Sequence, residues 1–146
     1  MSIFQSLSTS GSALTAQRLK MDVISSNIAN ANTTRGKYVN GEWIPYRRKM
    51  VELETKQGTS FDKLLNKEIN LNGVRVSRIV EDSTPFRAVY DPANPDSNED
   101  GYVMTPNVDV TKEMVDLMAT SRAYEANVTA FNAGKSMMEK ALTIGK

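Results

Sequence analysis

The chain has 146 residues, enough for one compact domain or for a small domain carrying long helices. Its formal net charge of +1 provides no strong field for nucleic acid or an anionic membrane. It contains no cysteine and no histidine, which rules out a disulfide framework or a thiolate zinc site and removes the commonest general base and metal ligand.

The first predicted element is a helix from about Ile3 to Ala31. Leu7, Leu14, Met21 and Ile28 fall in one column at heptad spacing, and Ile3, Ser10, Gln17, Ile24 and Ala31 fall in another. Alternating steps of four and three residues give a helix an apolar seam that faces a partner helix. Asn30, Asn32, Thr33, Thr34 and Gly36 end it, because amides compete for backbone bonds and glycine permits a left-handed stop. The opening stretch Met1–Leu14 lacks the basic region and the continuous apolar core of a cleaved secretory signal. No stretch approaches the roughly 20 apolar residues of a membrane span.

The middle changes pattern. Tyr38 to Ile44 reads as a hairpin with Asn40-Gly41 as a type I′ turn. A strand is expected over Tyr46 to Glu54, with Pro45 marking a break before it. Phe61, Leu64 and Leu65 suggest a short helix, and Val74 to Val80 another strand. Phe86 to Tyr90 and Tyr102 to Met104 are expected strands either side of the turn-rich loop Asp91–Gly101.

The last helix begins after Pro106, capped by Asn107 or Asp109, and Gly145 is expected to end it. Its heptads place Val110, Leu117, Tyr124, Phe131 and Met138 in one column, and Met114, Ser121, Val128, Lys135 and Leu142 in the other. Ala119, Ala123, Ala126, Ala130, Ala133 and Ala141 widen the apolar face beyond what one partner helix covers. Two helices of this kind could pack as a hairpin within a monomer. The added small residues argue instead for several neighbours. The fold class expected is α+β, with long terminal helices around a small β-rich middle: residues 1–34, 35–106 and 107–146.

Two further patterns have plainer readings. Asp96-Ser97-Asn98-Glu99-Asp100-Gly101 fits the first half of a calcium loop, but the bidentate glutamate that the pattern demands is replaced by Asn107. It reads as a solvated acidic turn. Arg47-Arg48-Lys49 reads as a charged edge strand that resists unwanted pairing. No catalytic, cofactor or metal site is indicated.

Two motifs carry a resemblance. Ser25-Ser26-Asn27-Ile28-Ala29-Asn30-Ala31-Asn32-Thr33-Thr34 resembles the N-terminal signature of bacterial flagellar rod and hook proteins. Glu113 to Met118 followed by Ser121-Arg122-Ala123-Tyr124-Glu125-Ala126-Asn127 resembles their C-terminal signature. Pro85 to Pro92, Pro95-Asp96, Gly101-Tyr102-Val103 and Pro106-Asn107-Val108-Asp109 are similar to the proximal-rod members, as is the short middle.

The resemblance implies a non-enzymatic structural subunit with no cofactor. Family members polymerise into the axial rod that transmits motor torque across the envelope and encloses the export channel. Their terminal helices form an inner coiled-coil layer, and the middle forms an outer β-rich domain. Implied partners are copies of itself, other flagellar rod proteins and the flagellar type III export apparatus, through which the chain leaves without a cleaved signal. No nucleic acid, small-molecule substrate or direct membrane span is expected. On this reading the assembly seam comprises Leu7, Leu14, Met21, Ile24, Ile28, Val110, Met114, Leu117, Tyr124, Val128, Phe131, Met138 and Leu142. The family motif contributes Asn27, Ala29, Asn30, Thr33, Arg122, Tyr124, Glu125 and Asn127. A cytoplasmic coiled-coil adaptor, or a binding module resembling an export chaperone, is the alternative from a different class.

Overall fold

In a computed structural model, residues 3–56 and 73–144 are described. The short helix expected around Phe61, Leu64 and Leu65, and the stop at Gly145, fall outside them. Helix α1 spans Ile3–Ala29, about 40 Å at 1.5 Å per residue. Three two-stranded sheets follow: β1 (Lys37–Val39) with β2 (Glu42–Ile44), β3 (Lys49–Thr55) with β4 (Val74–Glu81), and β5 (Arg87–Tyr90) with β6 (Tyr102–Thr105). Helix α2 spans Val110–Ile144, about 50 Å. The class is α+β, with two long terminal helices and short antiparallel strands between them.

Local chemistry explains the boundaries. Asn40 and Gly41 both have positive φ, 53° and 92°, so the β1–β2 hairpin closes on the I′ turn. The pairing Tyr38↔Trp43 brings the two rings to 5.0 Å. Asp109 caps α2, its Oδ1 accepting the N–H groups of Thr111 at 3.0 Å and Lys112 at 3.2 Å. Asn107 does not cap; it binds elsewhere. Strand β3 starts at Lys49 rather than Tyr46, because the Tyr46 N–H goes to Thr33 O at 3.1 Å and the Arg48 N–H to Asn107 Oδ1 at 2.8 Å. Those donors serve turns and a side chain, so no ladder forms there.

The chain divides into two compact units. One gathers Met1–Met21, Val51–Arg78 and Ala119–Lys146. In it Leu7 packs on Gly134, where a Cβ would come within 3.2 Å of Leu7 Cδ2. Asn127 Nδ2 donates to Gln17 Oε1 at 3.2 Å, so the helical segments run antiparallel there. The Val74 N–H donates to Ser12 Oγ at 3.1 Å, tying the start of β4 to α1. Glu52 pairs with Arg78 at 2.7 Å, and Glu54 pairs with Arg75. These pairs are exposed and contribute little to stability.

The other unit comprises Asp22–Met50 and Ile79–Met118. Most of the buried apolar side chains among the described residues lie here: Val23, Ile24, Val103 and Val108. Gly36 sits where a Cβ would meet Tyr46 N at 2.7 Å, so only glycine allows the two backbones to approach this closely. The acidic loop is anchored by Asp96, which accepts from Thr34 Oγ1 at 2.9 Å and from Arg35 Nε at 2.9 Å.

Candidate functional site

Among the described residues, the largest fully buried side chains include two polar ones, Glu113 and Asn27, each 1% exposed. They lie 86 residues apart in sequence and meet through Asn27 Nδ2 donating to Glu113 Oε2 at 2.9 Å. Asn27 comes from the last turns of α1 and Glu113 from the first turn of α2. Burial of an amide is tolerated only when its donors and acceptor are matched. Here they are. Nδ2 also donates to Lys49 O at 2.8 Å, while Oδ1 accepts the Lys49 N–H at 2.9 Å and the Tyr46 hydroxyl at 3.0 Å. The Asn27 amide therefore pairs with both polar groups of one backbone residue, as a neighbouring strand would.

Glu113 carries the network outward. Its Oε1 accepts from Arg48 Nε at 2.6 Å, and Arg48 Nη1 lies 3.3 Å from Asp82 Oδ2. Burial works against the Arg48 charge, yet hydrogen bonds and attraction from Glu113 and Asp82 hold its pKa above the ordinary guanidinium value. Asp82 is held below the usual carboxylate range, first by the Thr84 hydroxyl and backbone N–H and then by Arg48. Asn107 completes the frame, accepting the Arg48 N–H and donating to Thr84 O at 3.1 Å. No buried side-chain nitrogen or oxygen among the described residues lacks a partner. Both Glu113 oxygens are engaged, so this node locks elements together rather than presenting a reactive group.

The expected charged edge at Arg47-Arg48-Lys49 needs correction. Arg48 is only 17% exposed and sits inside the node. Arg47 lies 4.6 Å over the Phe86 ring, and Lys49 Nζ lies 5.7 Å from the Tyr46 ring centroid. Glu113 and Arg48 had no part in the candidate site read from sequence. Glu113 opens the C-terminal signature, but an acidic residue in a first helical turn is explained locally by the helix dipole, and Arg48 reads locally as part of a basic run.

The remaining motif residues are dispersed. Asn30 is half-buried and donates to Ser26 O at 2.9 Å, while Thr33 Oγ1 donates to Asn30 Oδ1 at 3.4 Å. Asn127 is half-buried against Gln17, whereas Ala29, Arg122 and Glu125 are exposed. Along α1, Ile24 is buried, and Leu7, Leu14, Met21 and Ile28 are half-buried. Along α2, Leu117, Tyr124, Val128, Phe131 and Met138 are half-buried. Val110, Met114 and Leu142 are open to solvent at 40%, 54% and 75%.

Within Ala119–Ile144, Ala119, Ala126, Ala130, Ala133, Met137, Ala141 and Ile144 recur at helical spacing, and all are exposed. By helical periodicity this stripe lies on the side of α2 opposite the half-buried column. The alanines therefore do not simply widen the seam; they make a second apolar face.

Comparison with known proteins places this arrangement. Residues 7–37 match the family described as flagella basal body rod protein, and residues 99–144 match the flagellar basal body rod FlgEFG protein C-terminal family. The first match covers most of α1, and the second covers β6 and α2. The flagellar basal-body rod protein FlgC of Bacillus subtilis (strain 168) is 60% identical over 100% of both chains. FlgC of Borreliella burgdorferi is 42% identical over 99% of this chain and 98% of its own, and FlgC of Escherichia coli O157:H7 is 40% identical over 100% of both. The chain belongs to the FlgC family of flagellar basal-body rod proteins, and it is a structural rod subunit of the flagellar basal body.

Proposed function

We propose that this subunit enters the rod through its terminal helices, residues 1–34 and 107–146, which form an inner coiled-coil layer, while residues 35–106 form an outer domain. Copies of itself and other rod proteins are its neighbours. The half-buried columns and the open seam positions Val110, Met114 and Leu142 supply the contacts. The observation that carries this reading is the second apolar face of α2. An exposed stripe from Ala119 to Ile144 costs solubility in a free subunit and gains a purpose only when another helix covers it. Its small side chains let a neighbouring backbone come close. The layer so built resists bending and twisting, because many packed side chains must shear together. That is the property of a shaft that transmits torque.

Export fits the same reading. A chain free of cysteine forms no cross-link that would block threading through a narrow channel. We assign its passage to the flagellar type III apparatus, without cleavage of a signal. No described helix is long and apolar enough to cross a membrane.

The test places charge on the open face. Ala126→Glu with Ala133→Glu alters two exposed helical positions and should leave the circular dichroism of the subunit unchanged. The variant should be exported yet be absent from purified basal bodies. Normal swimming at normal expression would show that the face is not covered in the rod.

A further inference from the structure

A cavity of about 430 Å³ in the second unit is lined by Lys37, Arg47 and Lys49 over a floor that includes Val39 and Tyr46, with Glu81 the one acidic side chain at its wall. None of the three cations has a carboxylate partner among the described residues, although five other basic side chains do. Lys37 and Lys49 are exposed. Lys49 rests on the Tyr46 ring and Arg47 on the Phe86 ring, so two of the three charges are held in place.

The same unit carries the complementary feature. The Gly101 N–H donates to Asn98 O at 2.8 Å, closing a tight turn with Glu99 and Asp100 at its corners. Gly101 has φ of 78°, a conformation that glycine adopts without strain. Both corner carboxylates are exposed, and neither is in an ion pair among the described residues. Asp96, at the base of the loop, is already held by Thr34 and Arg35 and so fixes where the turn is presented.

We infer that the Lys37–Arg47–Lys49 pocket receives the Glu99–Asp100 turn of a second copy of this chain. A polymer that propagates by repeating one operation needs two different, mutually complementary patches on every copy. The near-zero net charge of the chain, +1, conceals just such a separated pair. Carboxylates entering the pocket meet three cations unpaired among the described residues, which fixes register between copies more than it adds affinity. This contact rests on the proposal that copies lie side by side in the rod, and it adds a specific bond outside the helical layer.

Charge reversal and cross-linking test it in whole cells. Lys37→Glu with Lys49→Glu, and separately Glu99→Lys with Asp100→Lys, should each lower completed rods per cell roughly five-fold, and the four changes together should restore them to within about two-fold. The natural chain lacks cysteine, so two chains can be co-expressed, one carrying Lys37→Cys and the other Asp100→Cys. Oxidation of purified basal bodies should then give a reducible dimer of this protein. Should the reversed chains fail to fold, the cysteine pair still decides. Rods that contain both cysteine chains but yield no dimer would overturn the contact and leave rod membership intact. Basal bodies lacking the unaltered protein would overturn the wider reading as well.

Discussion

Asn27 is the residue on which most of the second unit's order converges. Its amide makes four hydrogen bonds to three residues, Tyr46 and Lys49 at the entry to β3 and Glu113 at the start of α2. Asn27→Ala leaves the Glu113 carboxylate and the Lys49 backbone short of partners, at about 1–3 kcal/mol for each unmatched buried group. Asn27→Asp keeps the shape but places a second carboxylate against Glu113, and it should destabilise more than alanine does. Thermal unfolding of the three proteins checks the order. A midpoint for Asn27→Asp at or above that of Asn27→Ala would remove Glu113 as the reason.

Asp96 responds to acid in a direction that can be worked out. Arg35 first, and Thr34 second, hold its pKa below the usual carboxylate value. A lowered pKa in the folded state means that the folded form binds the proton less readily than the unfolded form. The stabilisation is therefore fully present above the ordinary carboxylate pKa and is lost as pH falls through the depressed one. Protection of the amides in the Asp91–Gly101 loop, corrected for the intrinsic pH dependence of exchange, should fall on acidification across that window, and Asp96→Asn should abolish that change. Unchanged pH dependence in Asp96→Asn would assign the effect to another group.

At the scale of elements, α2 presents two faces of different character. Leu117 and Phe131 lie in the half-buried column, so within one subunit each buries only part of its side chain. Truncating a fully buried Leu or Phe costs about 2–5 kcal/mol. The isolated subunit should lose less than that from Leu117→Ala with Phe131→Ala. In a polymer the loss recurs at every copy, and any surface covered on assembly adds to it. The double variant should thus be exported, unfold at only a slightly lower temperature, and leave cells non-motile with incomplete rods. Normal swimming would separate these residues from the assembly seam.

Among the described residues few apolar side chains are buried, and several large ones are open, including Met114, Met118 and Met137 above 50% exposure. Helices in proteins draw most of their stability from packing of a face. In a confirmed monomer, amides in Ala119–Ile144 should therefore exchange faster than those in Asp22–Met50, where Asn27 and the hairpin turn supply bonds that need no neighbour. Incorporation into the rod should slow the first group most. Equal and strong protection of both segments in the monomer would mean that α2 requires no partner.

Short-range chemistry was legible in the chain alone. Heptad spacing located both helices and Asn40-Gly41 the hairpin turn, and local sequence narrowed the α2 cap to Asn107 or Asp109, because each depends on residues a few positions apart; the structure chose Asp109. The terminal motifs carried the family. Tertiary structure alone paired Asn27 with Glu113 and drew Arg48 inward from what reads locally as a charged edge. A contact between residues 86 positions apart leaves no periodic trace in one sequence. It also turned the alanines of α2 outward: spacing ties residues to a common face, but only packing selects which face is covered.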